Sequence, residues 1–158
     1  MALALICPIG ARAATPHSAV IFDFELVDTS LESEINGPRA DEQNRLQGLA
    51  PRLGELMAAD GRFKVVPLDE AASANAARIN LHDCNGCVAD MAKSLGAEYS
   101  IIGIVQKVSN LILNLTLVVR DASTGRIRHT ISVDMRGNTD DTWSRALKDA
   151  ARRLLAEM

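Results

Sequence analysis

Two cysteines separated by two residues form the only motif in the sequence with distinctive chemistry, Cys84-Asn85-Gly86-Cys87. Cysteines spaced in this way at the start of a helix can close a disulfide, and the helix N-terminus also lowers the pKa of a thiol, which favours exchange chemistry. Together with His82 the pair offers three metal ligands, but a structural zinc needs four. A thioredoxin-like site would follow a strand, and none is evident before the motif. We therefore expect a structural disulfide; a redox-active pair and a metal site are the alternatives.

Polar residues in two other segments are candidates for binding a protein partner. The first is the acidic stretch from Asp28 to Asp41, whose spacing does not match a calcium-binding loop. The second is the junction before the last predicted helix, where free backbone N–H groups could hold an anion. A solvated loop and ordinary helix capping are the simpler interpretations of the two segments. The candidate partner-binding residues are Asp28, Glu32, Asn36, Arg39, Arg136 and Asn138.

Motifs of the common enzyme classes are absent from the sequence. It contains no nucleophile elbow, no zinc-binding helix motif and no glycine-rich phosphate loop after the first strand. We therefore expect no enzyme activity, no catalytic residue and no cofactor. A net charge of −3 and an aromatic content of 3 % argue against nucleic-acid binding. No apolar run reaches the roughly 20 residues that a transmembrane helix needs.

The first residues resemble the end of a secretory signal. Residues 2–9 form a short apolar run, and small residues follow at the spacing that a signal peptidase recognises, so we expect cleavage after Ala13. No basic residue precedes the run, so the true start lies upstream or Met1 is an internal start; a disordered apolar leader is the alternative. Residues 1–13, including Cys7, are thus interpreted as a signal-peptide remnant, and residues 14–158 as one periplasmic domain.

Hydrophobic periodicity predicts an α/β (α+β) fold with the order β-α-β-α-β-β-β-α. The expected architecture is a single mixed five-stranded sheet covered by three to four helices. Residues 27–39 are predicted to form a loop, and Pro51 is expected to kink or split the first helix. Predicted strands cover residues 19–26, 63–67, 101–105, 111–120 and 126–135, and predicted helices lie within residues 41–60, 69–79, 88–95 and 140–155.

Several phrases of the sequence resemble the N-terminal domain of TolB and the periplasmic CsgG and LpoB domains. They are the apolar first strand at residues 19–24, the Phe-Lys-Val-Val strand at 63–66, the Leu-Gly-Ala-Glu-Tyr phrase at 95–99 and the Val-Arg-Asp hairpin at 119–125. The phrases at residues 36–42, 105–111 and 136–140 are similar to an uncharacterised, exported bacterial family of unknown function. Some of its members are associated with quinoprotein alcohol oxidation, and the resemblance implies that setting without a mechanism.

The residues and the resemblance together favour a non-enzymatic periplasmic module that binds a protein partner in the cell envelope. Its place beside a quinoprotein alcohol-oxidation system is an expectation from the family resemblance alone. The alternative function is thiol–disulfide exchange or metal handling by Cys84 and Cys87, with His82 as the third ligand.

Overall fold

The computed structural model describes residues 15–158, so the expected signal peptide and Cys7 lie outside the described residues. Six strands and five helices follow one another along this part of the chain. The strands are β1 (His17–Ile21), β2 (Glu25–Asp28), β3 (Phe63–Val65), β4 (Tyr99–Ser109), β5 (Ile112–Asp121) and β6 (Ile127–Met135). The helices are α1 (Leu31–Asn36), α2 (Ala40–Asp60), α3 (Glu70–Ala76), α4 (Cys87–Ser94) and α5 (Asp140–Glu157).

All six strands belong to one mixed sheet: five lie in the order β3-β1-β4-β5-β6, and β2 pairs with β4 outside that order. Strands β1 and β2 run parallel to β4 on the same side of it, one beyond the other, and β1 also pairs in parallel with β3. Strands β4, β5 and β6 form an antiparallel meander. The predicted mixed α/β class is therefore confirmed, with six strands in place of five and five helices in place of three to four.

Two local predictions were wrong, each for a physical reason, and the first helix is not split at Pro51, which was one of the two outcomes predicted for it. The predicted first strand is interrupted at residues 22–24, where Phe22 and Phe24 are buried in separate clusters on opposite faces of the sheet. The predicted loop at 27–39 contains the end of β2 and all of α1, which Ser30 caps by accepting a hydrogen bond from the Ser33 N–H. Helix α2 continues through Pro51, whose side chain faces solvent.

Helices cover the two faces of the sheet unequally. Helices α2 and α5 cover one face of the sheet. Helix α4 and the segment before it cover part of the opposite face. Trp143 on α5 is 1 % exposed and lies in the core. Thr139 caps α5 through a reciprocal capping box with Thr142, so the junction before this helix is a helix cap. Within residues 15–158, no helix combines the length and apolar character needed to cross a membrane.

A close approach between the broken first strand and β4 depends on a glycine. A Cβ atom at Gly103 would lie 2.2 Å from the Phe24 ring. The Phe24 ring is 4 % exposed and belongs to the core cluster that includes residues of α2 and α5. The absence of a side chain at Gly103 therefore allows the Phe24 ring, which follows the end of β1, to pack directly against β4.

We predict that Gly103→Ala destabilises the fold by about 2–3 kcal/mol, because the added methyl group overpacks the core against Phe24. The measurement is the free energy of unfolding from urea titration. Gly48→Ala, within α2, is the matched control, because a Cβ atom at Gly48 would have no atom of another residue within 4 Å apart from its neighbours in the helix. That control should be neutral or stabilising by about 0.5–1 kcal/mol. Equal effects of the two substitutions would contradict the close packing at Gly103.

Candidate functional site

A fully buried lysine lies at the centre of the largest polar cluster in the described chain. The Lys107 side chain has no exposed area, and its Nζ donates to Glu42 Oε1 at 2.7 Å, Asp28 Oδ2 at 3.1 Å and Glu32 Oε2 at 3.3 Å. The Glu42 side chain is also fully buried, whereas those of Asp28 and Glu32 are 11 % and 30 % exposed. Lys107 thus joins β4 to β2, α1 and α2. We call these four residues the charged cluster.

The geometry of strands and helices explains why Lys107 and Glu42 point inward. Lys107 follows Val105 by two residues on β4, on the face that α2 and α5 cover. Glu42 precedes the buried Leu46 and Leu49 of α2 by four and seven residues, so it shares their helical stripe. Sequence reasoning missed both residues. The sequence did contain a signal for them: Lys107 on β4 and Glu42 on α2 are charged residues of opposite sign at positions where the periodicity places the core.

Burial and ion pairing act in opposite directions on this lysine, and pairing dominates. Burial alone would lower the pKa of Lys107, but its hydrogen bonds with Glu42, Asp28 and Glu32 raise that pKa above the ordinary 10.5. Burial likewise tends to raise the pKa of Asp28, yet hydrogen bonds from Ser30 and Lys107 bring it below 3.8. A nucleophilic lysine needs a lowered pKa. The Lys107 ammonium instead stays charged and serves as a structural cation.

Glu32 is the member of the charged cluster that fixes α1. Its pKa is lowered by hydrogen bonds from Asn110, Arg39 and Lys107. Asn110 Nδ2 lies 2.9 Å from Glu32 Oε2, and Arg39 Nη1 lies 3.0 Å from Glu32 Oε1. Arg39 also forms a two-pronged pair with Asp41, whose pKa it holds well below the usual range. The polar side of α1 is therefore bound to the sheet from several directions.

Asn138 links the charged cluster to the start of α5. Its Nδ2 donates to Glu42 Oε1 and to Asn110 Oδ1, and its Oδ1 accepts from the Trp143 indole N–H at 2.9 Å. Arg45 reaches the same oxygen at 3.3 Å. The second oxygen of Glu42, Oε2, is buried and has no hydrogen-bond partner among the described residues.

Four of the six candidate partner-binding residues thus lie in or against the charged cluster. Asp28 and Glu32 are members of it, Arg39 binds Glu32, and Asn138 binds Glu42. Asn36, at the end of α1, and Arg136, after β6, are exposed and lie outside it.

Exposed apolar side chains are concentrated on the elements that the charged cluster joins. Six large apolar side chains among residues 15–158 are more than half exposed, and five of them lie on α1 or at the β4–β5 turn. The two elements touch through the Asn110–Glu32 hydrogen bond, and Thr29 N–H donates to the Lys107 carbonyl beside them. We call this set the apolar end; its members are Leu31, Ile35, Val108, Leu111 and Ile112, at 58–74 % exposure.

The cysteine pair is at disulfide distance, with Cα atoms 5.8 Å apart and sulfur atoms within bonding distance. Cys87 begins α4, and its N–H points at Cys84 Sγ at 3.1 Å. The preceding segment is anchored by Glu25 of β2, which accepts from the N–H groups of Leu81 and His82 and contacts His82 Nδ1 at 2.7 Å. The His82 ring is therefore engaged by Glu25, and residues 15–158 contain no group of three or more His, Cys, Asp or Glu arranged to hold a metal.

Comparison with known proteins identifies both the family and the fold. A model of the family DUF3280, described as "Protein of unknown function (DUF2380)", matches residues 17–155. No curated protein matches the sequence. The LpoB C-terminal domain from Salmonella enterica is similar in structure, with a TM-score of 0.53 and 14 % identity over 80 % of this chain and 87 % of that one.

Two further solved structures show the same likeness. Lipoprotein GNA1162 from Neisseria meningitidis has a TM-score of 0.53 and 16 % identity, over 89 % of this chain and 97 % of that one. TolB from Acinetobacter baumannii has a TM-score of 0.52 and 12 % identity, and 90 % of this chain aligns with 29 % of TolB. At these identities the likeness establishes the fold alone. The resemblance to TolB and LpoB domains and to a family of unknown function is confirmed.

We predict that Lys107→Met destabilises the protein by about 3–5 kcal/mol, because Glu42 then stays buried without its cation. The measurement is the free energy of unfolding from urea titration at neutral pH. Lys148→Met, on the exposed side of α5, is the matched control and should be nearly neutral. Adding Glu42→Leu to Lys107→Met should recover part of the loss, since the fully buried carboxylate is then removed and Asp28 alone is left largely buried without its cation. A Lys107→Met effect no larger than that of the control would show that the charged cluster does not stabilise the fold.

Proposed function

The chain belongs to the DUF3280 family, and we propose that it is a non-enzymatic module that binds a protein partner in the bacterial cell envelope. The likeness to the LpoB C-terminal domain and to a lipoprotein supports an envelope setting. In this proposal residues 1–13 direct export and residues 14–158 form the mature periplasmic domain. Association with quinoprotein alcohol oxidation stays a prediction of the family resemblance, and no feature of the fold or of the site supports it.

The apolar end is the observation that carries the proposal. A surface helix normally turns its apolar side to the core and its polar side to water. Helix α1 does the reverse, because Glu32 binds the sheet while Leu31 and Ile35, four residues apart on one side, face solvent. None of the six α1 residues is buried. Large apolar side chains exposed on neighbouring elements are typical of interaction sites in soluble proteins.

Charge around the apolar end indicates the chemistry of the partner. Glu34 is exposed on α1 and pairs with no basic side chain among residues 15–158, whereas Glu32 and Asp28 are neutralised by Lys107 and Arg39. The complementary partner therefore presents an apolar patch bordered by lysine or arginine side chains. In this arrangement Asp28 and Glu32 position the surface more than they touch the partner, as do Arg39 and Asn138. Asn36 stays a proposed contact residue, because it follows Ile35 directly and is exposed.

The cleft between α2 and α5 and the buried charged groups favour a binding role over catalysis. The cleft between α2 and α5, of about 470 Å³, contains Arg45 and Trp143 in its wall. Arg45 is already paired with Asp41 and Asp140, so its guanidinium is not available to polarise a substrate. The most buried ionisable groups, Lys107 and Glu42, neutralise each other.

Binding through the apolar end is tested with protein purified from the periplasm, whose N-terminal sequence is expected to begin at Ala14. The protein and its Leu31→Gln/Ile35→Gln and Leu111→Gln variants are immobilised, and captured envelope proteins are quantified by mass spectrometry. We predict one partner that the variants lose, with affinity for the purified partner weakened about tenfold or more. Unfolding free energies should stay unchanged, because these side chains are exposed.

Ile127→Gln is the matched control for those variants. Ile127 is the sixth exposed large apolar residue, 53 % exposed, and it lies outside the apolar end. It should bind the partner like the unaltered protein. Capture that is the same for every variant would exclude the apolar end as the binding surface.

The second candidate function, thiol–disulfide exchange, has one observation in its favour: Cys84 and Cys87 are half-buried at the start of α4. We propose instead that they form a structural disulfide that closes the segment anchored by Glu25. Thiol titration of the unreduced protein should then find neither cysteine free, and the reduction potential should lie below about −300 mV. A potential near that of exchange enzymes, about −120 to −270 mV, would favour the redox function. Metal bound by the reduced protein would favour metal handling with His82.

A further inference from the structure

Strand β6 forms one edge of the sheet along its nine residues. No described residue outside β5 forms a backbone hydrogen bond with it. Its sequence, Ile-Arg-His-Thr-Ile-Ser-Val-Asp-Met, contains neither lysine nor proline, and its charged residues Arg128 and Asp134 disfavour an arbitrary strand but are of opposite sign. The strand is therefore open to pairing with another strand.

The order of side chains on β6 is complementary to itself when the strand is reversed. In an antiparallel pair centred on Ile131, each Arg128 lies opposite the Asp134 of the second copy. Thr130 lies opposite Ser132, and Ile131 lies opposite its own equivalent. Directly opposed residues of a regular pair have Cβ atoms about 4.5–5.5 Å apart. The long arginine side chain can also reach an aspartate across a wider separation at the end of such a pair. The twofold axis produces this ion pair twice.

The present surroundings of the two charged residues leave them available for such a pair. Arg128 is exposed and forms no ion pair within residues 15–158, and Asp134 accepts only from Asn114 Nδ2, at 2.9 Å. The register with β5 shifts between His129 and Ile127, so Arg128 is an extra residue at a bulge. A bulge ends regular pairing. It therefore limits the paired core to residues 129–133, with the ion pairs closing each end.

We propose that β6 pairs with β6 of a second copy of this chain, antiparallel about Ile131, and so joins two six-stranded sheets into one. The binding surface is the free edge of β6, and its partner is the same edge of an identical chain. The polar side chains of the uncovered sheet face, Asn114, Thr116, Ser132 and Asp134, then continue across the twofold axis. This self-association involves a strand outside the apolar end, so it stands independently of the proposed partner binding.

The first test measures mass by analytical ultracentrifugation of the full chain over a range of concentrations. The unaltered protein should show a monomer–dimer equilibrium. Arg128→Glu and Asp134→Arg each oppose like charges twice, and each should weaken dimerisation roughly tenfold or more. The double variant R128E/D134R restores opposite charges in exchanged positions and should recover dimerisation. Arg126→Glu, the same change of charge outside the strand, is the control and should dimerise normally.

The second test fixes the register by cross-linking. An oxidised mixture of Thr130→Cys and Ser132→Cys chains should form more disulfide-linked dimer than either variant alone, because these two positions oppose each other. Unaltered protein treated with the same oxidant measures the background from the native cysteines. A protein that stays monomeric at all concentrations overturns the proposal, as does dimerisation insensitive to the charge reversals. Capture of a foreign strand by a monomeric chain would do the same.

Discussion

The pairing of one buried ammonium with carboxylates from three other segments is the constraint on which the rest of this end of the molecule depends. An unpaired charge inside a protein is destabilising by several kcal/mol, so Lys107 requires its acidic partners to be in place. Asp28, Glu32 and Glu42 arrive from β2, α1 and α2 respectively. Strand pairing, the placement of a short helix and the docking of a long one are therefore coupled through a single atom, Lys107 Nζ.

The orientation of α1 follows from that coupling. A helix of six residues is too short to be stable by itself, and this one buries no side chain in the core. Hydrogen bonds to Glu32 from Lys107, Arg39 and Asn110 fix its polar side. Its apolar side is consequently left in water, next to the apolar residues of the β4–β5 turn. The charged cluster thus fixes α1 by its polar side and leaves its apolar side exposed.

Regular elements were predictable from the sequence because their apolar side chains recur at strand or helix periods. Strands β4 to β6 and helices α2 and α5 are of this kind. Helix α1 was not predictable, since Leu31 and Ile35 form no core-facing stripe and its stability comes from residues distant in sequence. The acidic segment was singled out as a candidate for partner binding, which stays a prediction, and its buried centre was missed because Lys107 is distant in sequence from Asp28 and Glu42. Only the register of β2 with β4 places Asp28 beside Lys107.

The two edge strands at the ends of the strand order, β3 and β6, differ in how much backbone they leave free for pairing. At one end the sheet finishes with β3, which is three residues long; such shortness is a common protection against unwanted pairing. At the other end β6 has nine residues, and its irregularity is confined to its first part. Protection could have been achieved at β6 by a lysine or a proline at one exposed position. The sequence instead places opposite charges at equal distances from Ile131, an arrangement that favours an identical strand over an arbitrary one.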